Sequence, residues 1–203
     1  MTVTGSGRIR GRQVWLRALE ASDVEVYRQA VNSEEVGTWA GYPWPHSGAS
    51  IVNWFEDVKA RHGQGEYWFA ISPIGSEAFI GTVWLWNKGS RLDGLELSVF
   101  VTAEAGLGQG LGSDAIDAAL DFVFGSYETE RVWLTTEAHN ARAQRAFEKS
   151  GFRVDGTIRH HFRRGGEWRD SSLMAIVRED WEALDRPRSW ELAAFEAPVE
   201  PRG

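Results

Sequence analysis

The chain of 203 residues contains no cysteine, which excludes a disulfide framework, a thiolate-bound zinc site and a cysteine nucleophile together. It lacks any apolar run approaching the roughly 20 residues that span a bilayer. Its first twelve residues, MTVTGSGRIRGR, carry no apolar stretch of signal-peptide type. No membrane partner is expected, and a reducing cytoplasm is the expected compartment. Basic charge is also scarce. With 22 Lys and Arg against 29 Asp and Glu, the net charge is −7, so the counterion release that drives nucleic-acid binding has no broad basic surface behind it. A cationic partner suits that field better than a polyanion.

Tryptophan is abundant instead, with eleven residues; most are expected to pack internally, and a cluster in one loop would mark an apolar ligand surface. Hydrophobic residues at 42% and charged residues at 25% are ordinary for a globular protein. The length favours one domain over 1–203, with a core at about 12–182. The tail from Arg186, with Pro187, Pro198 and Pro201, reads as loosely held.

Between the ends the periodicity alternates. QVWLRA (13–18) reads as a strand, and Ser22 with Glu25 as a capping box ahead of Val24, Tyr27 and Val31 at helical spacing. A loop rich in Gly, Pro and Trp covers 34–48, and a helix is predicted over 49–62. YWFAI (67–71), FIGTVWLW (79–86) and LELSVFV (95–101) read as consecutive antiparallel strands. A glycine-rich turn, Gly106 to Gly112, then opens a helix with Ile116, Ala119, Leu120, Val123 and Phe124 on one face. RVWLTT (131–136) is expected to be parallel to the strand before that helix. Asn140 to Ser150 forms a short helix closed by Gly151, and two strands, 152–163 and 172–177, flank the turn RRGGEWRD. The class is α+β, a mixed but mostly antiparallel twisted sheet of about seven strands with flanking helices.

A helix N-terminus presents about four N–H groups without intrahelical partners and a partial positive charge, so it holds phosphate without a basic side chain. Glycine at 108, 110 and 112 lets main chain approach an anion closely, and Ser113 adds a hydroxyl. A Walker A loop is excluded, because no Gly-Lys-Ser/Thr is present. Gly110-Leu-Gly-Ser-Asp-Ala115 fits the relaxed dinucleotide fingerprint, yet it follows an antiparallel meander with one crossover, where a Rossmann domain needs several.

LELSVFV, GLGQGLGSDA and RVWLTTEAHNARAQRAFEKSGF, in this order and spacing, resemble the cofactor-binding core of the GNAT superfamily of acyl-CoA N-acyltransferases. RQVWLRALEASD and WRDSSLMAIVREDW resemble its branch of RimJ- and RimL-like ribosomal-protein N-acetyltransferases. The resemblance implies acetyl-CoA as co-substrate, an amine as acceptor, and the GNAT fold. It places the diphosphate on main-chain N–H groups of Leu107, Gly108, Gln109, Gly110, Gly112 and Ser113, with Leu107 replacing the usual Gln or Arg. It lays the pantetheine arm along Val99, Phe100 and Val101 and sets Asn140, Phe147 and Lys149 beside the cofactor, although Asn140 is equally suited to N-cap the following helix.

An ammonium with a reference pKa of about 10.4 must lose a proton before it attacks a thioester. Alternation puts Glu96 with Ser98 and Phe100 on the face opposite Leu95, Leu97 and Val99, and Glu96 matches the family's usual base position. Glu137 reads as an exposed loop residue held in reserve. The Tyr or Ser that relatives carry to protonate the thiolate is replaced by Phe147 and Ala143. Trp39, Tyr42 and Trp44 are the expected acceptor contacts, together with the RRGGEWRD turn. His160 and His161, neighbours on opposite strand faces, are not expected to share a metal. The reading is an N-acetyltransferase for a primary amine, either a peptide N-terminus or a small amine such as a polyamine, aminoglycoside or amino acid. A CoA-binding module without catalysis is the alternative, and a homodimer stays open.

Overall fold

Alternating apolar positions become a sheet of eight strands in the computed structural model, which describes residues 7–39, 45–87, 94–102 and 108–194. The strands are β1 (Ile9–Arg10), β2 (Val14–Ala18), β3 (Glu66–Pro73), β4 (Gly81–Trp86), β5 (Leu95–Val101), β6 (Arg131–Glu137), β7 (Arg153–Arg164) and β8 (Glu167–Val177). Their spatial order is β1-β2-β3-β4-β5-β6-β8-β7, antiparallel throughout except for β5 beside β6. The strand added to the expected seven is the two-residue β1.

Helices cover both faces. On one lie α1 (Val24–Asn32), α2 (Glu34–Trp39) and α3 (Gly48–Arg61), with α1 and α3 packing Tyr27, Val31, Ile51 and Phe79 into a cluster. On the other, α4 (Leu111–Ser126) buries Ile116, Ala119, Leu120 and Val123 against Leu16, Leu85, Leu97 and Leu134, and α5 (Ala141–Lys149) adds Phe147. No helix among the described residues is long and apolar enough to cross a membrane.

Four local readings change. The cap before α1 lies earlier than expected: the Asp23 carboxylate accepts from the Glu20 N–H at 2.8 Å, while Glu25 turns to Arg28. The stretch 34–48 is not all loop, since it contains α2. The turn in RRGGEWRD shrinks to Gly165-Gly166, with φ of 56° and 83°, so β8 starts at Glu167 rather than Ser172; two successive left-handed residues match the twist of a tight hairpin.

The fourth is the tail, which is held at its start. After α6 (Arg178–Glu182), Arg186 donates to both oxygens of Asp121 at 2.8 and 2.9 Å, and the Ser189 N–H donates to the same carboxylate at 2.8 Å. This seats α7 (Ser189–Ala194), with Trp190 against Gly125. The polar side of α4 is therefore interior: Asp114, Asp117 and Asp121 are all buried, and the arginines that neutralise them come from both ends of the chain. Burial pushes the Asp117 carboxyl up, against the pull of Arg186 and Arg12.

Candidate functional site

The parallel junction in the sheet is short. Register links Leu95 to Val132 and Glu96 to Trp133, and no further rung joins β5 to β6 among the described residues although each strand has seven residues. Past Glu96 the two strands fork. The Thr102 N–H donates to Ile80 O at 2.8 Å, so in the antiparallel ladder Phe100, Ser98 and Glu96 also turn their main-chain groups to β4. Val99 and Val101 consequently present N–H and C=O to the opening. Phe100 contributes its ring instead, with its centroid 5.8 Å from that of Tyr27 and 6.5 Å from that of Phe79.

The glycine turn lies at the mouth of this fork. Gly108 and Gly110 both have φ of 85°, a conformation that L side chains adopt at a cost. Gly110 is the N-cap of α4 and receives no side-chain cap. The first helical bond runs from Asp114 N–H to Gly110 O at 2.9 Å, leaving the N–H groups of Leu111, Gly112 and Ser113 without intrahelical acceptors. A Cβ on Gly112 would stand 3.7 Å from Val101 Cγ2, so the turn abuts the end of β5. Gln109 is exposed here. The Ser113 hydroxyl faces α5, donating to Ala146 O at 3.4 Å, so its N–H is the group it offers an anion. Leu107 lies outside the described residues.

Side chains on β5 divide as alternation requires. Leu95 and Leu97 enter the α4 core, while Phe100 packs with the α1–α3 clusters. Glu96 shares the face of Phe100, is 7% exposed, and lies in register between Trp86 of β4 and Trp133 of β6. A row of indoles leads to it across two strands. Trp68 stacks on Trp84 at 4.7 Å and 4°, and Trp84 on Trp86 at 5.6 Å and 15°.

Across the fork, Glu137 is not a loop residue. It ends β6 with a side chain only 9% exposed and ion-paired to Arg164, which suits it to hold the β7–β8 hairpin. His161 Nδ1 lies 2.9 Å from Ser171 Oγ on that hairpin, a contact between distant positions that has no local signal. His160, at φ 49°, sits over Trp168 in a bulged stretch.

On the α5 side, Asn140 N-caps the helix, its Oδ1 accepting from the Ala143 N–H at 3.1 Å, which leaves its amide N–H₂ for other partners. Phe147 is buried against Phe152, and Lys149 is exposed in the last turn. Trp39 ends α2, whereas Tyr42 and Trp44 lie outside the described residues.

The model for the acetyltransferase (GNAT) domain matches residues 13–153. The Bacillus subtilis (strain 168) protein named "Probable N-acetyltransferase YjcK" is 29% identical over 184 residues, covering 86% of this chain and 99% of its own. Spermidine N(1)-acetyltransferase of Escherichia coli (strain K12) is 26% identical over 170 residues, covering 84% and 89%. Among solved structures, Mycobacterium smegmatis RimJ in complex with CoA-disulfide superposes with a TM-score of 0.76 at 21% identity, covering 94% and 95%. The forked sheet, the uncapped helix N-terminus at its mouth and the family match agree: the chain belongs to the GNAT acetyltransferase family, as an acyltransferase with acetyl-CoA as its co-substrate.

Proposed function

We propose that one domain of this chain transfers the acetyl group of acetyl-CoA to a cationic primary amine, with Glu96 as the general base. The observation that carries this reading is the register at the fork. The ladder between β5 and β6 stops at the rung that bears Glu96, so the carboxylate stands where the sheet opens. In this reading the main-chain N–H groups from Gly108 to Ser113 take the diphosphate, and the arm runs into the fork along Val99 and Val101. The amide of Asn140, the wall formed by Phe147 and the charge of Lys149 flank the cofactor from α5.

The acetyl carbonyl then lies beside main-chain donors that stabilise the developing oxyanion. The amine approaches from the face of Glu96, Phe100 and the indole row, and Trp39, Tyr42 and Trp44 are the residues proposed to contact it. Glu96 removes its proton, nitrogen attacks the carbonyl carbon, and CoA leaves as a thiolate. A thiol of reference pKa about 8.5 is a stable enough leaving group to depart without the Tyr or Ser that Phe147 and Ala143 replace.

Two acceptor classes fit. A polyamine is supported by the spermidine acetyltransferase, which matches most of the chain, and by the net charge of −7. A peptide N-terminus is supported by the [ribosomal protein uS5]-alanine N-acetyltransferase of Escherichia coli (strain K12), which matches 36% of the chain. Calorimetry with acetyl-CoA, followed by turnover against spermidine, an N-terminal alanine peptide and a neutral amino-acid amide, is the test. Cofactor binding with faster turnover of one cationic amine is the expected result. Absence of acetyl-CoA binding at millimolar concentration would refute the reading.

A further inference from the structure

Trp133 is the partner of Glu96 on the last rung before the fork. Val132 and Leu134 enter the α4 core, so Trp133 projects from the opposite face, the one that bears Glu96. It is 9% exposed, and its indole Nε1 is buried with no hydrogen-bond partner. A buried donor without a protein acceptor is met by an ordered water or a ligand atom, because the unmet bond is costly. Ser98 and Thr135 are the next residues on the same face of their strands, each two positions past the pair where the strands have parted. An internal water needs two or more polar partners, and the Trp133 indole N–H and the Glu96 carboxylate are the polar side-chain groups of this rung.

We propose that Trp133 is a positioning residue for proton removal: its indole N–H holds the water that carries the acceptor's proton to Glu96. The proposal rests on the reading of Glu96 as base. The ammonium gives a proton to this water, and the water gives one of its own to the Glu96 carboxylate. The freed lone pair forms the C–N bond and the C–S bond breaks. The CoA thiolate takes the proton then carried by the new amide nitrogen, and protonated Glu96 returns its proton to solvent. A water fixed by a donor-only group turns its lone pair to that donor and its O–H toward the carboxylate, which matches Trp133 to a role that a hydroxyl would fill less directionally.

The test is steady-state kinetics of the wild type, Trp133→Phe and Glu96→Gln with acetyl-CoA and spermidine, from about pH 7 to about pH 9.5. 2,2,2-Trifluoroethylamine, whose nitrogen is already deprotonated at neutral pH, serves as a second acceptor. Loss of a positioned proton relay is expected to lower kcat of Trp133→Phe about 10- to 100-fold near pH 7. The KM for acetyl-CoA is expected to stay within about twofold, the deficit to shrink as pH rises toward the amine pKa of about 10.4, and the deficit with trifluoroethylamine to vanish.

A deficit equal at every pH and for both amines would assign Trp133 a packing role and overturn the proposal while leaving Glu96 in place. A wild type that turns over no amine would overturn both readings, and an active Glu96→Gln would remove the base on which this one rests. If Trp133→Phe loses its cooperative thermal transition, replacement of Trp133 by 3-(benzothien-3-yl)alanine removes only the N–H. Wild-type kcat in that protein would also overturn the proposal.

Discussion

Asp114 stands in the first turn of α4, one residue past the N–H groups assigned to the diphosphate, and its carboxylate binds the start of β2. Oδ2 accepts from the Gln13 N–H at 2.7 Å and the Val14 N–H at 3.0 Å, and Oδ1 accepts from the Arg12 N–H at 2.9 Å. Asp114 is 3% exposed and Val14 fully buried. Asp114→Ala strands three main-chain donors. Water reaches those of exposed Arg12 and Gln13 in part, while that of Val14 is met by nothing. At about 1–3 kcal/mol for a buried unmet donor and about 1 kcal/mol for each bond replaced by water, the loss is about 3–5 kcal/mol. Asp114→Asn keeps an oxygen at the Oδ2 position and faces only Arg12 with an amide, so it is expected to cost about 1–2 kcal/mol. Urea unfolding at constant m-value measures both. Because the same bonds set the height of α4 against the sheet, acetyl-CoA affinity should fall in the same order. A cost below about 1 kcal/mol for Asp114→Ala, or equal costs for the two variants, would refute this reasoning.

Gly125→Ala is expected to destabilise. An alanine inside a helix normally gains up to about 1 kcal/mol over glycine, but its Cβ would lie 2.7 Å from Trp190 Cζ3, so α7 must shift. A rise in melting temperature without a change in Trp190 fluorescence would contradict the contact. His62 accepts the Trp68 N–H on Nδ1 at 3.1 Å, and desolvation holds its pKa below the ordinary 6.5. The unfolded chain takes the proton first. The His62 contribution to stability is therefore present in full above about pH 6.5 and is lost as pH falls toward the folded pKa. NMR titration checks it, and a His62 pKa above 6.5 would reverse the sign.

Much of the candidate site was legible because its signals are local. Alternation in LELSVFV gave the face of Glu96, and glycine spacing followed by a helical apolar stripe gave α4, which starts at Leu111 inside the expected turn, while Gly106 and Leu107 lie outside the described residues. What escaped depends on partners far away in the chain. Asp114, Asp117 and Asp121 look like the wet side of an amphipathic helix until Arg12 and Arg186 arrive from the two ends to neutralise them. The burial of Glu137 depends likewise on Arg164. The fork itself is a register event: RVWLTT reads as one continuous strand, and nothing in it says that pairing with β5 stops at Trp133. Reading all of RRGGEWRD as a turn passes over its Gly-Gly, which is the local mark of a two-residue hairpin.

The central claim, a carboxylate at the fork that deprotonates the amine, is tested most directly by Glu96→Gln, which keeps size and removes the base. With acetyl-CoA and the best acceptor near pH 7, kcat should fall about 100-fold or more, while the calorimetric affinity for acetyl-CoA stays within about twofold. A variant that binds the cofactor normally and turns over at the wild-type rate would contradict the account and move the base elsewhere in the cleft.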